Sequence, residues 1–247
     1  MFTGLGFYNL RARVSVGIIF IAPWLLELYL LLPEVRNLSS TLIVGVICYG
    51  ICNVIIIYCR IPGVKAMKKC FPDLLPAQEY LLPSNRQLDR ITKNRYYKFL
   101  TEHMDDFKVF DSEDEMKPYA STAVTWLIAK TRNASEFPLV AEENTNFGFA
   151  YNLLGLKPYG VLSCCTGVAV NGILIVCYYL EFFASIDLKI LFAGMIINVL
   201  FLLLWLFIIT QKLVIEAGRK YARALLAACD SDKIIAGTCA SSLKTMK

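Results

Sequence analysis

Apolar positions along this chain gather into four long runs, at 14–32, 42–59, about 160–183 and about 190–210. Each is close to the roughly 20 residues an α-helix needs to cross a hydrocarbon core about 30 Å thick. Backbone N–H and C=O groups left unpaired in lipid cost several kcal/mol each, so every run is expected to satisfy its own backbone as a helix. Short connections at 33–41 and 184–189 then make two helical hairpins. Arg11 and Arg13 precede the first run as they would in a signal peptide. That run, however, exceeds the roughly 7–15 apolar residues of a signal, and Pro33, Glu34 and Val35 follow it without a small-x-small cleavage pattern, so a permanent anchor is expected.

Between the hairpins, at 60–159, the pattern becomes that of a small mixed segment. Pro62, Gly63, Pro72, Pro76 and Pro83 predict an irregular lead-in over 60–83. Ser84 and Gln87 have capping-box spacing, which predicts a helix from near Ser84 to about His103. Leu88, Ile91 and Tyr96 or Phe99 would face inward, with Arg86, Arg90, Lys93 and Lys98 on a solvated face. The acidic stretch from Asp105 to Glu115 lacks the glycine of a calcium loop and reads as a helix start. Ser112 and Glu115 repeat the capping-box spacing there, or Pro118 opens the helix. An apolar stripe of Ala120, Ala123, Val124, Leu127 and Ile128 follows, with Trp126 at its edge. The aromatic and polar mixture at 137–159 predicts an interfacial helix leading into the third run. After the fourth run, 212–229 keeps a helical period and is expected along or out of the membrane surface, and 230–247 has little to bury.

The expected fold is therefore a membrane all-α protein, two transmembrane hairpins with a small, mainly helical cytoplasmic insertion. Its parts are 1–59 (N-terminal segment and first hairpin), 60–159 (cytoplasmic domain with interfacial segment), 160–210 (second hairpin) and 211–247 (amphipathic helix and tail). A mean hydropathy of +0.54 and 57% hydrophobic residues agree, since soluble domains hold about 45–50%.

Charge sets the expected orientation. Arg11, Arg13, Lys65, Lys68, Lys69, Arg219, Lys220 and Arg223 form membrane-surface basic groups, joined by Arg60, Lys157 and Lys212, while the hairpin loops offer only Arg36 and Lys189. The positive-inside rule puts both termini and the central segment in the cytoplasm. Attraction of basic residues to anionic headgroups, about 1 kcal/mol each, accounts for the Lys65, Lys68 and Lys69 patch, so a nucleic-acid partner is not expected. None of the nine cysteines falls in an outward loop, and no disulfide is expected. With one histidine, His103, and no paired Cys or His ligand sets, no metal and no cofactor are expected. No nucleophile elbow, P-loop, dinucleotide fingerprint or zinc-protease helix is present, and His103 has no evident partner for base catalysis, so no enzyme is expected.

Polar groups inside the apolar runs are the candidate chemistry. Glu27 is a carboxylate that costs at least about 2.5 kcal/mol to insert in lipid, which makes it a candidate for proton or ion handling or for pairing within the bundle. Asn53, Asn171 and Asn198 each sit well inside a run, suited to interhelical hydrogen bonds or to lining an oligomeric pore. Ser163, Gly167 and Asn171 recur every four residues as a close-contact stripe. Glu181 is near enough to a helix end to be exposed.

Several motifs also carry a resemblance. Leu88-Asp89, Ile91-Thr92-Lys93, Arg95-Tyr96-Tyr97, Trp126-Leu127, Thr131-Arg132 and Phe137-Pro138-Leu139 lead to Glu142-Glu143-Asn144, Asn146-Phe147-Gly148-Phe149 and Asn152-Leu153-Leu154-Gly155-Leu156-Lys157-Pro158. This set, over 88–158 with its flanking runs, resembles a family of uncharacterised bacterial four-span inner-membrane proteins. The resemblance implies a multi-pass location in a bacterial inner (cytoplasmic) membrane and no known activity. The chain departs from that family's pattern at Ala150 and Tyr151, where a basic pair is usual, and at Tyr97, where a histidine is usual. A looser similarity is to membrane components of phage-defence operons.

The resulting expectation is a non-enzymatic sensor or effector in the lipid bilayer. A cytoplasmic protein or small-molecule signal would act through a coupling segment, Glu142, Glu143, Asn144, Asn146, Asn152 and Lys157, on a homo-oligomeric bundle. The alternatives are a small ion-coupled transporter or channel using Glu27 and the asparagines, or a passive scaffold.

Overall fold

The computed structural model describes residues 10–32, 38–182, 187–231 and 234. Among them every regular element is helical. A π-helical turn, Leu10–Val14, leads into α1 (Ser15–Leu31). Then come α2 (Leu38–Cys70), α3 (Pro76–Tyr80), α4 (Arg90–His103), α5 (Glu113–Lys130) and α6 (Pro138–Tyr179). The chain continues as α7 (Leu188–Leu203) with a π-helical end at Leu204–Ile208, then α8 (Gln211–Ala227) with a 3₁₀ turn at Ala228–Asp230.

Among the described residues, three helices are long and apolar enough to cross a membrane: Ala12–Leu31, Pro138–Tyr179 and Leu188–Ile208, whose most apolar 18-residue stretches have mean hydropathies of 2.1, 2.0 and 2.7. The run expected at 42–59 lies within α2, where Leu42–Ile51 forms a shorter apolar stretch. The side chains of Arg11, Cys52, Asn53 and Cys59 lie outside the described ones, as do the loop holding Arg36, residues 183–186, and nearly all of the chain after Ser231.

Two compact units emerge: Met1–Met67 with Gly148–Val214, and Lys68–Phe147 with Ile215–Lys247. In the first, α1 packs on α7, and Val16, Leu153, Leu156, Cys164, Trp205 and Ile209 form a buried cluster. Ile18, Leu26, Ile173, Val176, Ile196 and Leu200 stay exposed, as residues facing lipid would.

The second unit has an interior of its own. Tyr80, Leu81, Leu100, Met116, Leu127, Leu225 and Leu226 are essentially inaccessible. Phe147 meets Phe71 edge-on at 6.0 Å between centroids and stacks on Tyr221 at 6.0 Å, and Gly218 leaves room for those rings. The helix expected along or out of the membrane surface supplies Ala222, Leu225 and Leu226 to this interior, at about 1.5–3 kcal/mol per buried leucine. The Arg95–Asp230 pair, at 2.7 Å, is solvent-exposed and screened, so burial holds that helix in place. Ile234 is also buried, which corrects the expectation of an idle tail at that point.

Other boundaries differ from expectation for identifiable reasons. The lead-in at 60–83 is not irregular at its start, because α2 continues through Pro62 to Cys70. Proline removes one N–H from the ladder, and the close packing of the adjacent Gly63 is available to offset that loss. α4 begins at Arg90, with Asp89 accepting from the Thr92 N–H at 2.8 Å, so the Ser84 cap is not used. Instead the Ser84 hydroxyl donates to Glu113. Hydrogen bonds from the Thr92 hydroxyl and then its N–H hold the Asp89 carboxyl below its ordinary pKa. α5 does start after Ser112, although the Ser112 side chain makes no cap bond, and Pro118 lies inside the helix. Met116 completes the apolar stripe and Ile128 leaves it, being 44% exposed. Ile91 likewise faces out, at 79%. Trp126 is an edge contact, 6.4 Å from the Phe99 ring.

Lys93 is the clearest correction, since it is buried instead of solvated. Its ammonium donates to the carbonyls of Leu82 (2.8 Å), Pro83 (3.4 Å) and Asn85, fastening the 82–85 turn to α4. Desolvation pushes its pKa down. Beside it the Tyr97 hydroxyl donates to the Leu81 carbonyl at 2.6 Å, and burial pushes that phenol up to about 12. Lys93→Met should lower the unfolding free energy of this unit by about 1–3 kcal/mol, because buried carbonyls lose their donor. Lys98→Met, at an exposed site, should stay within about 0.5 kcal/mol; urea denaturation followed by Trp126 fluorescence distinguishes them.

Candidate functional site

The first unit contains two polar constellations, both organised by α6. The first is a layer formed by α1, α6 and α7. Glu27 is 5% exposed, Asn171 1% and Asn198 0%. The Asn171 amide donates to Glu27 and to the Gly167 carbonyl at 2.9 Å, and the Asn198 amide donates to the Gly194 carbonyl at 3.0 Å. Each asparagine therefore bonds back four residues to a glycine on its own helix. Each also packs against the other helix's glycine: Asn198 lies against Gly167, and the site of a Cβ on Gly194 is 3.0 Å from both Asn171 Oδ1 and Glu27 Oε1. A repeated Gly-x-x-x-Asn, at 167–171 and 194–198, produces this reciprocal fit. Asn198 Oδ1 is buried with no hydrogen bond. One turn away on α6, Ser163 accepts from the Trp24 indole at 2.6 Å, so the Ser163, Gly167, Asn171 stripe is a contact face.

The second constellation is the Asn152 to Pro158 motif. Asn152 is 1% exposed and donates to the Ala12 carbonyl at 3.2 Å, in the turn before α1. Gly155 lies against the backbone of α2, where an added Cβ would come within 2.5 Å of the Pro62 carbonyl carbon and 2.6 Å of Gly63 Cα. Lys157 donates to the carbonyls of Leu206 (3.0 Å) and Ile209 (2.8 Å) at the end of the α7 segment, where the helix leaves carbonyls without N–H partners. Within six consecutive positions of α6, Asn152, Gly155 and Lys157 thus reach α1's lead-in, α2 and the end of α7. Gly160 adds a close seat for the buried Trp205 ring.

The remaining expected residues are more dispersed. Glu142 is exposed, and Glu143, Asn144 and Asn146 are half-buried in the second unit. Glu143 Oε2 is buried and unpaired. The interfacial helix expected at 137–159 is instead the first part of the unbroken α6, with Phe147, Ala150, Leu153 and Leu156 buried. Lys65, Lys68, Lys69, Arg219, Lys220 and Arg223 are exposed, while Arg13 is half-buried. His103 stacks on Phe99 at 4.3 Å and its Nδ1 lies 2.8 Å from the Phe99 carbonyl, an arrangement internal to α4. Glu181 is exposed just beyond α6 with φ 60°. Among the described residues, no group of three or more His, Cys, Asp or Glu is placed to hold a metal.

Sequence reasoning found Glu27, Asn171, Asn198, Asn152 and Lys157, but assigned no helix contact to Gly155, Gly63 or Gly194. The repeated Gly-x-x-x-Asn spacing was the available signal for the last of these. Comparison of the chain with family models, with curated proteins and with solved structures finds no match.

Replacing an interior helical glycine by alanine ordinarily stabilises a helix by about 1 kcal/mol. Gly172, with nothing within 4 Å of its would-be Cβ, should follow that rule. Gly155→Ala should do the reverse and lower the thermal midpoint of the detergent-solubilised protein. A Gly155→Ala variant as stable as Gly172→Ala would contradict the close backbone crossing.

Proposed function

We propose that this chain is a four-span integral membrane protein of a bacterial inner membrane, with both termini and the second unit in the cytoplasm. It acts as a non-enzymatic sensor or effector, coupling a cytoplasmic signal or partner to an oligomeric membrane bundle. One observation carries the reading. α6 is a single helix of 42 residues, about 63 Å at 1.5 Å per residue. It supplies Val140 and Phe147 to the interior of one unit, and Asn152, Lys157 and Asn171 to the polar contacts of the other.

The fourth span is supported by the apolar run at 42–59 and the helical course of α2. The orientation is supported by the basic residues flanking the runs. The resemblance over 88–158 supports the bacterial assignment, and its looser similarity to phage-defence components favours a triggered effector. Proteoliposomes carrying the full chain should remain tight to a small dye when alone and release it when an activating cytoplasmic protein or nucleotide is added. Retention of dye under every partner and nucleotide tried would count against the effector reading.

A second reading, a small ion-coupled transporter or channel, is favoured by the buried Glu27. Under it, Glu27→Gln should abolish ion-driven uptake while leaving the protein assembled in the membrane; uptake equal to wild type would exclude that role.

A further inference from the structure

We propose that Glu27, Asn171 and Asn198 form a binding site for a small monovalent cation, sodium, within the first unit; this rests on the second, ion-coupled reading. The layer is rich in acceptors and poor in donors. Glu27 brings two carboxylate oxygens and makes no ion pair among the described residues, its partner being the Asn171 amide. The asparagine orientations are fixed by their bonds to the Gly167 and Gly194 carbonyls, which require the NH₂ end there and leave each Oδ1 turned to the neighbouring helix.

Asn171 Oδ1 and Glu27 Oε1 converge beside Gly194, both 3.0 Å from its would-be Cβ. Asn198 Oδ1 is fully buried, without a donor, across the same reciprocal contact at Gly167. A buried oxygen without a donor is costly, and a carboxylate among apolar helices more so. A hard cation bound by carboxylate and amide oxygens removes both penalties. The glycines bring the helices close, and a single carboxylate among these oxygens matches a monovalent charge.

The test is sodium itself. The full chain in detergent is unfolded thermally in sodium, potassium and N-methyl-D-glucamine chlorides of equal ionic strength, with sodium-23 line broadening measured in parallel. The expected result is a saturable rise in midpoint specific to sodium, with broadening that wild type shows and variants lose. Asn198→Ala should weaken sodium binding about tenfold or more. Gly194→Ala, which adds one methyl between the converging oxygens, should do likewise even if Asn198→Ala fails to fold. Equal midpoints in the three salts, with no sodium-specific broadening of wild type, overturn the site. Sodium binding without sodium-driven uptake supports the site and overturns the transport reading, so the two can fail separately.

Discussion

Close approach of helix backbones at glycine is the constraint on which the membrane-type unit depends. Lipid is as apolar as leucine, so helices there are not driven together by burial of greasy side chains; contact area and internal hydrogen bonds must do it. Gly155 against Pro62 and Gly63, Gly160 against Trp205, and Gly167 and Gly194 against Asn198 and Asn171 each remove the atoms that would hold neighbours apart. Once backbones are that near, short polar side chains reach across. Asn152 then finds the Ala12 carbonyl, and Asn171 finds Glu27.

The second unit obeys different physics. It resembles a small water-soluble core, where buried aromatic and aliphatic side chains supply most of the stability and polar groups fix local geometry. Lys93 illustrates the division. Its position in a predominantly apolar interior is tolerable because three carbonyls of one turn accept its protons, and removing it would expose the cost of those carbonyls. The unit is assembled from distant chain segments, since Leu225, Leu226 and Ile234 join side chains from 77–140.

α6 belongs to both descriptions. Its N-terminal third carries amphipathic residues packed on aromatic rings, and its C-terminal half carries the apolar, small-residue face that meets α1 and α7. Pro158 does not break it, as Pro62 does not break α2. In both cases the interruption costs one hydrogen bond, while glycines nearby lie in close helix contacts. Lys157 meanwhile serves the exposed carbonyls at the end of another helix. A helix continuous through such different surroundings is the feature on which the proposed coupling is built.

The sequence by itself determined that this is an all-helical chain with long apolar helices, because sustained hydropathy and a helical period are local properties. It also picked out Glu27, Asn171 and Asn198, since a polar residue in an apolar run is conspicuous without any knowledge of its neighbours. Tertiary structure alone decided which of those side chains meet. It moved the start of α4 from Ser84 to Asp89, because a cap is chosen by where the turn at 82–85 is anchored. It buried Lys93 and turned Ile91 and Ile128 outward, because the width of a buried face depends on the partner helix. It also fused the segment at 137–159 with the following span, since a proline or a polar stretch ends a helix only where no packing compensates for the lost bonds.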